Sequence, residues 1–137
     1  MLSVVFLQNY LFFEHLSIEL GNNMNIFTGE TGAGKSILVN AIKLACGQRV
    51  KSDIFLNKDN PVNIALTFSN LTDDLCNNLE QYGITDADQT LIIKRTIMPN
   101  GSSRYYINDI PVTHKIIVAI GDQLFEFTGQ GSTAKLR

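Results

Sequence analysis

The chain has 137 residues, 45% of them hydrophobic and 18% charged, with a formal net charge of −2. That suffices for one domain with a real core and excludes a disordered chain, and the scattered lysines and arginines form no basic stripe that would argue for nucleic-acid binding from charge. Cys46 and Cys76 give neither metal-ligand spacing nor a disulfide framework, no apolar run reaches the roughly 18 residues of a membrane span, and no positive n-region marks a signal peptide, so a reduced, cytoplasmic setting without membrane contact is expected.

In chain order, Leu2 to Gln8 reads as a first strand and Asn9-Tyr10 as a bend. His15 to Leu20 alternates, with Leu16, Ile18 and Leu20 on one face, as a half-exposed strand of an antiparallel sheet does. Gly21-Asn22-Asn23 is a turn, and Met24 to Thr28 is a short buried strand leading into the most informative stretch of the chain.

That stretch is TGETGAGKS, from Thr28 to Ser36. Gly29-Glu30-Thr31-Gly32-Ala33-Gly34-Lys35-Ser36 fits G-x-x-x-x-G-K-S/T, a loop whose glycines let the backbone fold into a nest of N–H groups around phosphate oxygens. A helix starting at the lysine adds the positive end of its dipole. Lys35 is then the candidate catalytic cation against the β and γ phosphates of a nucleotide, and the Ser36 hydroxyl the candidate ligand for Mg²⁺. Strand, loop and helix in that order are the context the motif needs.

Lys35 to Cys46 reads as a helix that is apolar nearly all round, with Gly47 as its C-terminal cap. Gln48 to Asn60 reads as loop and Val62 to Phe68 as an alternating strand. Leu71 to Tyr82 places Leu71, Leu75 and Leu79 on one helical face, stopped by Gly83. Leu91 to Met98 and Arg104 to Asn108 flank an Asn-Gly turn and read as a β-hairpin. Thr113 to about Ile120 is expected as a short helix capped by its threonine, and Leu124 to Thr128 as a last short strand before Gly129-Gln130-Gly131. His15 and His114 read as surface or hairpin-edge residues, Asp73-Asp74 as helix N-terminal charges, and Asp86 and Asp88 as loop charges. Ile116 to Asp122 has the outline of the apolar strand plus aspartate that holds Mg²⁺ in many phosphate-loop enzymes, although Gly121 interrupts it and no glutamate follows.

Beyond these separate readings, three features together resemble the start of the RecN family of bacterial DNA-repair proteins, in the SMC-like branch of the ABC ATPases. They are two alternating strands joined through Asn9-Tyr10, the wording TGETGAGKS, and the hairpin IIKRTIMPNGSSRYYIND leading through a short helix to FEFTGQ. The resemblance runs from Met1 to Gln130. It implies an α/β fold, the N-terminal lobe of an ABC-type ATPase head, with an antiparallel β layer beside a P-loop core, over residues 1–130, and a tail over residues 131–137. It implies ATP held by Gly29 to Ser36, Gln130 as the glutamine that contacts Mg²⁺ and the region of the attacking water, and Arg49 in a loop near the head-dimer surface. It implies a C-terminal lobe and a second head as partners, and action on broken DNA during recombination. Where the family has a histidine after that glutamine, this chain has Gly131.

The family's LSGG-type signature, its apolar strand ending in Asp-Glu and its switch histidine are not written in these residues. The chain is therefore expected to bind ATP without hydrolysing it. A small stand-alone P-loop kinase or GTPase, and a non-catalytic nucleotide-binding assembly module, are the competing readings. The first is weakened because two strands precede the loop and Asn57-Lys58-Asp59 lacks the spacing of a guanine-reading motif.

Overall fold

The computed structural model describes residues 2–20, 32–84 and 89–127. Six strands form one antiparallel sheet: β1 (Leu2–Tyr10), β2 (Phe13–Glu19), β3 (Val62–Phe68), β4 (Leu91–Ile97), β5 (Ser103–Ile107) and β6 (Ile110–Val112), ordered β2-β1-β3-β4-β5-β6. Among the described residues three α-helices accompany it, α1 (Gly32–Ala45), α2 (Asp73–Glu80) and α3 (His114–Phe127), with a 3-10 turn at Ser52–Ile54.

Alternation sets the register. Val62, Ile64, Leu66 and Phe68 of β3 are buried, as are Leu91, Ile93 and Ile97 of β4 and Leu2, Val5 and Leu7 of β1, so one face of the sheet is a continuous apolar surface. α1 packs onto β3 and β4 through Leu38, Ala41, Ile42 and Ala45, and α3 adds Ile117, Ile120 and Leu124 to the same core. Each fully buried aliphatic side chain contributes about 1.5–3 kcal/mol of transfer free energy, so this face dominates stability.

The helix ends follow local chemistry. α2 begins where the Thr72 hydroxyl accepts from the Leu75 N–H (3.2 Å), with Asp73 and Asp74 in its first turn. It stops at Gly83 (φ 74°), where the Ile84 N–H reaches the Leu79 carbonyl (3.2 Å). The β4–β5 hairpin closes through the Met98 N–H to the Ser102 carbonyl (2.7 Å), with Gly101 at φ 94°.

Three sequence expectations change. The expected strand Leu124–Thr128 is not formed: the helix from His114 runs on through Phe127, because Ile117, Ile120, Gly121 and Leu124 recur at helical spacing and three of them fill the core. For the same reason Ile116–Asp122 is helix, not a metal-bearing strand. The third concerns β6, which the sequence reading passed over: Asn108 (φ 49°) and Asp109 (φ 67°) form a two-residue left-handed turn that folds Ile110–Val112 back onto β5. The turn Gly21–Asn23, the strand Met24–Thr28, Asp86, Asp88 and the tail 131–137 lie outside the described residues.

Candidate functional site

α1 begins at Gly32, three residues before the expected start at Lys35, so Gly32, Ala33, Gly34 and Lys35 form its opening turn and Ser36 follows, exposed. The first N–H groups of a helix have no intrahelical acceptor, and no acidic residue sits in this first turn to offset the positive end of the dipole. The N–H groups of a helix start, a lysine and an exposed hydroxyl are a donor set that fits a phosphate and, through Ser36, an oxygen-seeking cation. Gly29, Glu30, Thr31 and Gln130 lie outside the described residues, so the structure brings together five of the sequence-selected positions, Gly32 to Ser36, on one helix start.

Ser36, Asn40 and Leu44 follow one another at i, i+4 along α1, and Asn40 and Leu44 line a cleft of about 270 Å³. Its other walls are the β1–β2 hairpin, through Tyr10 and Leu11, and residues 48–54, through Gln48, Arg49, Lys51, Asp53 and Ile54. Arg49 and Lys51 are exposed there beside Asp53. Burial, and secondarily the Asp53 charge, push the Tyr10 phenol above its usual range.

Asn9 builds the hairpin side. Its backbone is left-handed (φ 57°) and its side chain is 8% exposed. The carboxamide donates to the carbonyls of Asn57 (2.9 Å), Asn60 (2.9 Å) and Pro61 (3.2 Å) and accepts from the Asn57 N–H (2.7 Å). The bend expected at Asn9-Tyr10 is thus a buried hub that ties β1 to the loop 57–61.

The far end of α1 is tied down as well. The Gly47 N–H reaches the Leu44 carbonyl (3.0 Å) and the Gln48 N–H the Lys43 carbonyl (3.1 Å), with Gly47 at φ 106°. Arg95, on the core side of β4 and 4% exposed, donates through Nη1 to the Leu44 carbonyl (2.7 Å) and the Gln48 carbonyl (2.6 Å), and through Nε to Ser103 Oγ (3.0 Å). Its guanidinium carbon lies 5.0 Å from the centre of the Tyr105 ring. Burial lowers the Arg95 pKa, partly countered by Tyr105. His114 Nε2 sits 2.8 Å from the Gly47 carbonyl oxygen, which can only accept, so the ring nitrogen donates. His15, by contrast, is exposed on β2.

A family model described as an AAA domain matches residues 5–129. Among curated proteins, the DNA repair protein RecN of Haemophilus influenzae is 32% identical over 99% of this chain, and that of Rickettsia bellii 33% identical over 94%. The chain spans about a quarter of their length, 25% and 23%. Among solved structures, one described as "Structural biochemistry of ATP-driven dimerization and DNA stimulated activation of SMC ATPases" aligns at TM-score 0.62 and 23% identity, covering 87% of this chain and 76% of that one. The SMC head domain of Thermotoga maritima aligns at TM-score 0.57 and 20% identity, covering 85% and 40%. These likenesses show the fold.

Proposed function

We infer that this chain, which belongs to the AAA domain family and is of RecN-like, SMC-type ATPase lineage, supplies the ATP-binding N-terminal lobe of such an ATPase, over residues 1–130. The observation that carries the reading is the start of α1: Gly32, Ala33, Gly34 and Lys35 in the first turn and an exposed Ser36, with no carboxylate there to oppose a phosphate.

Gly29 to Ser36 hold the phosphates of ATP, Lys35 placing its ammonium against the β and γ groups and Ser36 its hydroxyl on Mg²⁺. Mg²⁺, when bound, neutralises charge on the phosphate oxygens. Gln130 orients the water side of the site once a second surface closes over it. The resemblance assigns Arg49, which is exposed and lines the cleft beside α1, to the neighbourhood of the head-dimer surface. Residues that activate water come from the C-terminal lobe and the second head, so ATP joins heads and hydrolysis releases them. Recombinational repair of broken DNA, in the cytoplasm, is the setting this places the chain in; the RecN relatives support it. The stand-alone kinase or GTPase reading loses its one structural prop, since Asp122 lies within α3 and not at the end of a strand.

Calorimetric titration with ATP and Mg²⁺ tests the assignment. Lys35→Ala is expected to lose most of the affinity with an unchanged circular-dichroism spectrum. Equal affinity in the variant refutes the phosphate cradle.

A further inference from the structure

The phosphate-binding reading concerns one end of α1; the denser chemistry lies at the other. Arg95 grips the Leu44 and Gln48 carbonyls from β4, and His114, the first residue of α3, grips the Gly47 carbonyl. The two are joined by Tyr105: its ring lies under the Arg95 guanidinium and 5.7 Å from the His114 ring. Backbone contacts lock the same point. A Cβ on Gly47 would stand 2.9 Å from Val118 Cγ2, and one on Gly121 would stand 3.0 Å from Cys46 Sγ, so α3 crosses the end of α1 at glycine distance.

We propose that Arg95 and His114 are positioning residues for nucleotide binding: they fix the C-terminal end of α1 to the sheet and to α3, and thereby set where the phosphate-binding end of the helix lies. This rests on the phosphate-loop reading above and adds a second set of residues to it, remote from the ligand.

The lever is long. α1 has 14 residues, which at the rise of a helix is about 20 Å. A tilt of about 3° at the clamped end displaces the other end by about 1 Å, a misplacement that can cost on the order of a hundredfold in a positioned reaction. A packed apolar side chain would hold α1 down without defining its rotation, since dispersion contacts are non-directional. A buried guanidinium costs desolvation, and its fork, donating to two carbonyls and a hydroxyl from β4 and β5, fixes both axial position and rotation. The cation also opposes the negative end of the α1 dipole. α3 extends from the same clamp to Phe127.

The whole 137-residue chain serves for the test. His114 is exposed, so its variants keep the core; His114→Phe keeps a ring beside Tyr105 and removes only the donor to Gly47, and His114→Gln restores a donor. Arg95→Lys keeps the charge and loses the fork. Two readouts are taken well below the melting temperature: ATP-Mg²⁺ affinity by calorimetry, with Lys35→Ala as the site control, and amide hydrogen exchange. His114→Phe is expected to weaken ATP about fivefold, the worth of one hydrogen bond transmitted to the site, with His114→Gln within about twofold of the parent and Arg95→Lys weakened about tenfold. Exchange is expected to rise at residues 36–40 and 121–124 but not in β1–β3. Parent-like ATP affinity in folded His114→Phe and Arg95→Lys, or exchange changes confined to residues beside the clamp, overturns the proposal. If the parent chain and Lys35→Ala take up no ATP, the phosphate-loop reading fails, and the exchange pattern alone decides whether the clamp reaches the far end of α1.

Discussion

Replacing Asn9 by alanine is expected to destabilise the chain far more than its place at a bend suggests. The carboxamide makes four contacts of 2.7–3.2 Å with the loop 57–61, its two amide protons shared among three carbonyls. At about 1 kcal/mol net per bond, discounted because Asn57 and Asn60 are exposed to water and the Asn57 carbonyl keeps the Asn60 N–H (3.3 Å), the loss is about 3 kcal/mol. Asn9 is also left-handed at φ 57°, where alanine is worse than asparagine by about 1 kcal/mol. The sum is about 4 kcal/mol, a large share of the 5–15 kcal/mol that holds a typical domain together. Asn9→Gly separates the parts: it loses the bonds but tolerates the φ, and so should retain about 1 kcal/mol more than Asn9→Ala. Urea titration followed by circular dichroism reads both. A loss below about 1 kcal/mol in Asn9→Ala, or a glycine variant no more stable than the alanine one, refutes the account of this hub.

The parent chain is expected to show no steady ATP turnover in a phosphate-release assay, because Gly29 to Ser36 cradle the ground state and do not orient a nucleophile; turnover that disappears in Lys35→Ala would show a complete site. Gly47→Ala should cost about 2–4 kcal/mol in thermal unfolding, from φ 106° and from a Cβ 2.9 Å from Val118 Cγ2 and 3.1 Å from His114 Nε2; a shift under about 1 kcal/mol would mean that α3 can move aside. The phenol of Tyr10 has a folded pKa raised above 10.0, so its contribution is fully present below that value. Above it the unfolded chain releases the proton first, and stability falls as pH climbs toward the folded pKa. Urea midpoints measured across about pH 9–11 should drop in the parent and drop less in Tyr10→Phe; identical slopes would contradict the buried phenol.

Strands β3, β4 and β5, helix α2 and the glycine stops at Gly47 and Gly83 were legible because each rests on local chemistry: alternation, leucines at helical spacing, a positive φ; the Thr72 cap, which starts α2 two residues after the expected Leu71, was not singled out. The last strand was misread because Phe125-Glu126-Phe127 has strand-forming residues, and the tertiary demand on Ile117, Ile120 and Leu124 carries the helix through them. β6 was missed because three residues are too few for periodicity; the Asn108-Asp109 pair, both tolerant of positive φ, was the available signal. Of the site, the loop was legible from its wording alone. Arg95 was not singled out, yet it occupies a core position in the alternation Leu91, Ile93, Arg95, Ile97, and a charge on the apolar side of a strand is the mark of a buried partner. What it pairs with could not be read, since Leu44 and Gln48 lie about 50 residues away and a carbonyl leaves no trace in sequence.

The two margins of the sheet differ in a way that matters for the crowded setting of a cell. An unpaired strand edge is a template on which another chain can build. On one side the sheet ends in β6, three residues with Pro111 at the centre, which has no N–H to offer a newcomer. On the other, among the described residues, it ends in β2, where seven residues follow one another without a proline. Its safeguard is charge: Glu14 and Glu19 both stand exposed along it, and a second copy approaching antiparallel would bring like charges together. Among the described residues, edge-to-edge pairing is therefore opposed by backbone chemistry at one margin and by charge at the other, and only the second can be weakened by acid or by salt.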